Sequence, residues 1–147
     1  MIEYRQLKIT LILRKDGVDM SISVLKNGGF KPEDFMNYSK KDFWDVWSYH
    51  YYDRELSEKT NDYLGEMVYA AMHRLATMRK GKLYMSDLYK DVSEKYNVSE
   101  STVMVTINRF FNKEYPDFSA SQIFFRTLID FKYDYDEFYV KGEHYGA

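Results

Sequence analysis

Ser99, Ser101, Thr102, Asn108 and Arg109 bring hydroxyl, amide and guanidinium groups together within one short stretch of the chain. Such groups hydrogen-bond to base edges and to the sugar-phosphate backbone. Lys82, Lys90, Lys95 and Lys113 flank them in sequence and can position phosphates. This is the chemistry of reading duplex DNA, and nothing comparable exists for bond making. His50, His73 and His144 are isolated, and His73 has no second ligand at a His-x-x-x-His interval. Asp87 and Asp91, four residues apart, form a like-charge pair on one helix face and are expected to stay solvated. Glu66 adds a carboxylate without a partner base. Asn27-Gly28-Gly29 lacks the lysine and hydroxyl residue of a phosphate-binding loop, and the chain has no cysteine. No catalytic residue, metal ligand or cofactor is therefore assigned, and the chain is not expected to be an enzyme.

The elements that must hold the polar cluster read as a helix-turn-helix. Leu88, Val92 and Tyr96 share the inner face of a first helix, for which Ser86 is the expected N-cap. Asn97-Val98-Ser99 makes the turn, with Asn97 where a left-handed backbone is needed and Asn is the best non-glycine choice. Ser99 caps a second helix that turns Val103, Ile107 and Phe110 inward. Where a DNA reader would carry donors and positive charge, that second helix carries Met104 and Val105, which suit a protein interface.

Further helices flank the motif. Ser39, with Asp42 three residues on, caps a helix whose Phe43, Val46, Trp47, His50 and Tyr51 share one face. Trp44 and Trp47 are read as core packing in preference to a base-stacking platform. Leu64, Met67, Val68, Ala71, Met72, Leu75 and Met78 form a continuous core stripe that Gly81 should terminate. Pro32-Glu33-Asp34 resembles a first helical turn. After Pro116, Ser119 caps a helix with Ile123, Phe124 and Leu128 apolar, and the acidic aromatic run from Tyr133 to Tyr139 suggests a final short turn. Residues 4 to 25 alternate like strands, with a turn at Asp16-Gly17, and predict a β-hairpin. The expected class is mainly α with a small N-terminal β-hairpin (α+β), a helical bundle containing a helix-turn-helix. The polar stretch from Leu56 to Asp62 marks a boundary between residues 1–58, hairpin plus helices, and residues 59–147, the helix-turn-helix domain.

Composition limits the partners. The 147 residues carry 21 basic and 23 acidic side chains, a net charge of −2. Residues 61 to 116 hold eight basic and seven acidic groups, so phosphate contact would depend on a few placed residues. Fifteen tyrosines suit a binding surface and equally a codon-biased composition. No apolar run approaches the ~20 residues that span a bilayer. A cytoplasmic protein without a membrane partner is expected.

Leu88-Tyr-Lys-Asp-Val-Ser-Glu-Lys-Tyr-Asn97, continued by Ser101, Val103 and Ile107, resembles the DNA-binding effector domain of the master sporulation response regulator of endospore-forming bacteria. That family shows Leu-Tyr-Pro-Asp-Ile-Ala-Lys-Lys-Phe-Asn before its recognition helix. Asp62-Tyr63-Leu64, Ala71 and Glu137-Phe138 extend the resemblance over residues 61 to 140. It implies an all-helical domain whose recognition helix, about Glu100 to Asn112, enters the major groove. The chain departs from the pattern at Lys90, where the family has proline, and at Thr102, Val105 and Asn108, where the family is expected to carry arginine. The first 60 residues are too short for the receiver domain, so phospho-control is not implied.

The function expected is that of a small helix-turn-helix DNA-binding protein, a transcription regulator whose partner is double-stranded DNA. The alternative is a protein-binding module of a phage or mobile element. It would inhibit a host factor, for example a defence protein, through a degenerate helix-turn-helix with Met104 and Val105 at the interface. A homodimer surface is a variant of that alternative.

Overall fold

The computed structural model describes residues 12–14, 17–21, 39–51, 56–77 and 82–135. Among them run β1 (Ile12–Arg14), β2 (Gly17–Ser21), α1 (Lys40–Tyr51), α2 (Glu58–Thr77), β3 (Lys82–Leu83), α3 (Met85–Tyr96), α4 (Glu100–Glu114) and α5 (Ala120–Tyr135). The five helices form a bundle with α2 at its centre, against which α1, α3, α4 and α5 all pack.

The sequence shows why α2 is central. Tyr63, Leu64, Gly65, Glu66, Met67 and Val68 are buried in unbroken succession, more than one full turn, so this part of the helix is enclosed on every side. Its stripe continues through Ala71, Met72 and Leu75, all 0% exposed. Gly65 is the point of closest approach. A Cβ there would lie 2.6 Å from Trp44 Cη2 and Cζ3 and 2.9 Å from Trp47 Nε1. Trp47 is fully buried, stacks on Phe43 at 6.3 Å, meets Phe131 at 5.8 Å and donates its indole N–H to Asn61 Oδ1 at 3.0 Å. Trp44 is half-buried beside Phe43. Packing, not ligand stacking, accounts for the tryptophan pair. One core cluster includes Phe43, Val46 and Trp47 from before residue 58 together with the helices after it, so the described core crosses the expected boundary.

Three of the four expected N-caps hold, at Ser39, Ser99 and Ser119, and Ser57 supplies one that was not expected. At α1, Asp42 N–H donates to Ser39 Oγ (3.1 Å) and Ser39 N–H donates to Asp42 Oδ2 (3.2 Å), a reciprocal capping box. At α5, Ser119 and Gln122 make the same exchange at 3.2 and 3.0 Å. At α2, Ser57 Oγ accepts from Thr60 N–H at 3.2 Å. The expected cap at Ser86 is corrected: α3 starts at Met85, two residues earlier than a Ser86 cap would place it, and Tyr84 stands at the N-cap without a side-chain hydrogen bond. Leu83 is 1% exposed, and its anchoring as the end of β3 brings the chain into the helix before a serine is reached.

The α+β class is likewise corrected. The fold is a helical bundle, and an N-terminal β-hairpin standing as its own element is not seen. Among the described residues, extended structure amounts to strands of 3, 5 and 2 residues in the order β1-β2-β3, with β2 paired antiparallel to β3 from the middle of the helical region. The β1 ladder runs from Ile12↔Asp19 to Arg14↔Gly17. Ribbons this short bury too little surface to form a layer. The large apolar side chains that could have covered a sheet sit on helices and bury against one another. The rest of the expected hairpin, the Pro32 turn, the Gly81 stop, Met78 and residues 136–139 lie outside the described residues, as do the side chains of His50 and Tyr51.

A buried carboxylate ties α1 to α2. Glu66 is 6% exposed, with Lys40 Nζ 3.4 Å from Oε1 and 3.5 Å from Oε2. The same ammonium lies 4.9 Å from the Tyr69 ring centroid.

Candidate nucleic-acid interface

The helix-turn-helix is built by local rules and then braced from outside. α3 buries Leu88, Tyr89, Val92 and Ser93 against the bundle. Asn97 stops it in the left-handed conformation, φ 55° and ψ 48°, the sole positive φ at a non-glycine among the described residues. Its N–H donates to Ser93 O, and Val98 N–H donates to the same oxygen at 3.1 Å, so two amides share one carbonyl at the turn. Half-buried Val98 packs against the core. Ser99 Oγ then accepts from Thr102 N–H at 3.1 Å and starts α4. Arg74 supplies the brace: its Nε and Nη2 reach Asp91 Oδ2 and Oδ1 at 2.7 and 2.9 Å, a two-pronged bond from α2 to α3. The hydrogen bond to Asp91 raises the Arg74 pKa above its ordinary value against the opposing effect of burial. Asp91 is therefore paired, which corrects the expectation that it stays solvated with Asp87. The 17-residue separation of Arg74 and Asp91 left no local signal for this pair.

On α4 the inner stripe is Val103, Ile107 and Phe111, exposed by no more than 1%. Phe110, expected inward, is half-buried at its edge. The opposite stripe, at i, i+3, i+4, i+7 and i+11, is Ser101, Met104, Val105, Asn108 and Asn112. Met104 is 39% and Val105 47% exposed. Exposed Thr102, Arg109 and Lys113 border this stripe. The fold thus brings together on one helix the side chains of Ser101, Thr102, Met104, Val105, Asn108, Arg109 and Lys113, with Ser99 at its cap. Lys90 and Lys95 are exposed on α3, and the Lys82 side chain lies outside the described residues.

Three of the expected polar groups are partly committed within the protein. Ser99 Oγ lies 2.7 Å from Thr102 Oγ1 and 3.1 Å from Ser101 Oγ, so the hydroxyls form a small mutual network at the cap. A hydroxyl has both donor and acceptor capacity, and these exposed groups keep some for a ligand. Asn108 is half-buried, and its Oδ1 is turned inward without a hydrogen-bond partner. Only a rotation of its amide would offer that oxygen to a base.

The exposed charge at the motif is nearly balanced. Exposed Lys90, Lys95, Arg109 and Lys113 stand against exposed Glu94, Glu100 and Glu114. On the inner side, Tyr96 meets Tyr63 at 5.4 Å, and its phenol pKa is pushed up to about 12 by burial first and then by Asp62, Glu66 and Tyr63. Burial alone pushes Tyr89 to about 12. His73 is exposed beside Tyr69, and no group of three metal-ligating side chains occurs among the described residues. No helix among them is long and apolar enough to cross a membrane. No protein-family model, curated protein or solved structure matches the chain.

Proposed function

We propose that this chain is a small helix-turn-helix protein that binds double-stranded DNA through α4 and acts as a transcription regulator in the cytoplasm. The observation that carries the reading is the outward stripe of α4. The inner side of the helix is buried and its turn is anchored by Asn97, while Ser101, Met104 and Val105 stay exposed between the cap and Arg109. A helix of this diameter, short-chained along its outer face, fits a major groove about 12 Å wide. Arg109, Lys113, Lys90 and Lys95 would take phosphates, Ser99 through the cap would add backbone contact, and Thr102 and Asn108 would add base or backbone contact. The resemblance of Leu88–Asn97 to the sporulation effector domain supports the same orientation.

Fluorescence anisotropy with random-sequence and genomic 24-base-pair duplexes, at several salt concentrations, tests this. Four exposed cations bound the logarithmic salt dependence at a slope of about −3.6, from ~0.9 per neutralised phosphate. No binding at low salt overturns the reading, and a much steeper slope overturns the assignment of contacts.

A protein partner is the second reading, favoured by Met104 and Val105 together with Tyr115 (38% exposed) and Phe118 (57% exposed) at the α4–α5 corner. In this form the chain is a module of a phage or mobile element that inhibits a host factor. Recovery of a stoichiometric host protein from nuclease-treated lysate, lost on replacing Met104 and Val105, supports it. Recovery of no stoichiometric protein from that lysate, with nucleic acid alone recovered from untreated lysate, refutes it.

A further inference from the structure

We propose that Met104 and Val105 are the sequence-reading pair of α4 and that they select thymine through its C5 methyl group. This inference rests on the DNA-binding reading and assigns its specificity. Both side chains project from the outward stripe, flanked by Ser101 one turn before and Asn108 one turn after. Neither has a hydrogen-bond donor or strong acceptor, so neither can read the polar pattern of a base edge. The one apolar feature in the major groove is the thymine methyl. Set against cytosine N4 or guanine O6 and N7, the same side chains would strip water from polar groups and return no bond. The pair therefore favours thymine and disfavours G·C at the same positions.

Two features of α4 point to a groove instead of a protein. The exposed apolar patch is two side chains wide and bordered by Ser101, Asn108, Arg109 and Asn112. That is far below the ~800 Å² per partner of a stable protein interface. Exposed Tyr115 does not adjoin it, since it follows Val105 by ten residues, about 15 Å along the helix axis. Charge agrees: Arg109 and Lys113 border the stripe on one flank, where phosphates would run beside a helix seated in the groove. Because Glu94, Glu100 and Glu114 offset most of the local positive charge, affinity depends more on base contacts than in a basic domain. Short Ser101 and Thr102 side chains let the N-terminal half of α4 approach the bases closely enough for van der Waals contact.

The test starts with in vitro selection from a duplex library carrying 20 random base pairs. Anisotropy is then measured on the enriched duplex made with thymine and on the same duplex made with uracil, which lacks only the methyl group. Thymine-containing sites should enrich, and uracil should weaken binding about fourfold for each methyl contacted, the factor that ~0.8 kcal/mol of apolar transfer corresponds to. Met104→Ala and Val105→Ala, at exposed positions, should each reduce the thymine–uracil difference, and the double variant should abolish it with unchanged helicity by circular dichroism. Equal binding of the two duplexes by the unaltered protein, or enrichment of G·C-only sites, overturns this inference and leaves the DNA reading standing. Failure to retain any duplex at low salt overturns both and returns Met104 and Val105 to a protein partner.

Discussion

Replacing Gly65 by alanine sets two opposing effects against each other, and the geometry decides between them. In an isolated helix the change would be favourable by ~1 kcal/mol, because glycine loses more backbone freedom on folding than alanine. Here the new methyl would meet Trp44 at 2.6 Å on two ring carbons and Trp47 Nε1 at 2.9 Å. Trp44 is half-buried and can swing partly aside. Trp47 cannot: it is 0% exposed, held between Phe43 and Phe131, and hydrogen-bonded to Asn61. Overpacking of this kind costs ~1–3 kcal/mol, and weakening the indole hydrogen bond adds ~1 kcal/mol. The net expectation is destabilisation by ~1–3 kcal/mol. For a chain of this size that lowers Tm by roughly 2–12 °C, at ~2–4 °C per kcal/mol. Urea unfolding followed by tryptophan fluorescence reads the change directly. Gly65→Ala placed in a Trp44→Ala background should cost less than it does alone, since two of the three close approaches are gone. An unchanged or higher midpoint for Gly65→Ala would show that the tryptophans do not close over α2 as described and would refute the reasoning.

Other expectations follow from single residues. Trp47→Ala should cost ~3–5 kcal/mol through its cavity, measured by chemical denaturation; an unchanged midpoint would remove Trp47 from the core. Asn97→Gly should be neutral or stabilising and Asn97→Val should cost ~1–2 kcal/mol, because φ at 55° strains a β-branched residue; equal stability of the two variants would contradict a left-handed turn. Tyr89 and Tyr96 hold their protons more tightly when folded, with pKa values raised from 10.0 to about 12. Their contribution to stability is thus complete below pH 10 and lost as pH rises from 10 through 12. Urea midpoints across that range should fall, and Tyr89→Phe with Tyr96→Phe should flatten the decline. A decline equally steep in the double variant would assign it to other groups.

The parts of the fold that were readable from sequence were those governed by near neighbours. Ser39 with Asp42, Ser99, Ser119 and Asn97 each act within four residues, so their types and spacing sufficed to place three helix starts and one turn. Ser86 misled because what positions α3 is Leu83, buried by contacts that sequence spacing does not express. The alternation of residues 4 to 25 suggested a hairpin element, but periodicity says which residues can share a face and not whether a layer exists to cover it.

For the candidate site, the sequence by itself determined the local frame: two helices, a left-handed turn at Asn97, an inward stripe through Val103 and Ile107, and an outward α4 poor in arginine. Helical periodicity and capping are short-range, and they act wherever these residue types recur. Tertiary structure alone decided that Asp91 is held by Arg74, that Glu66 is buried beside Lys40, and that Gly65 leaves room for two tryptophans. It also decided that Asn108 turns its oxygen inward while Met104 and Val105 remain outside. Each of these depends on which elements meet across the bundle, and burial is a property of that assembly, not of the segment that carries the residue.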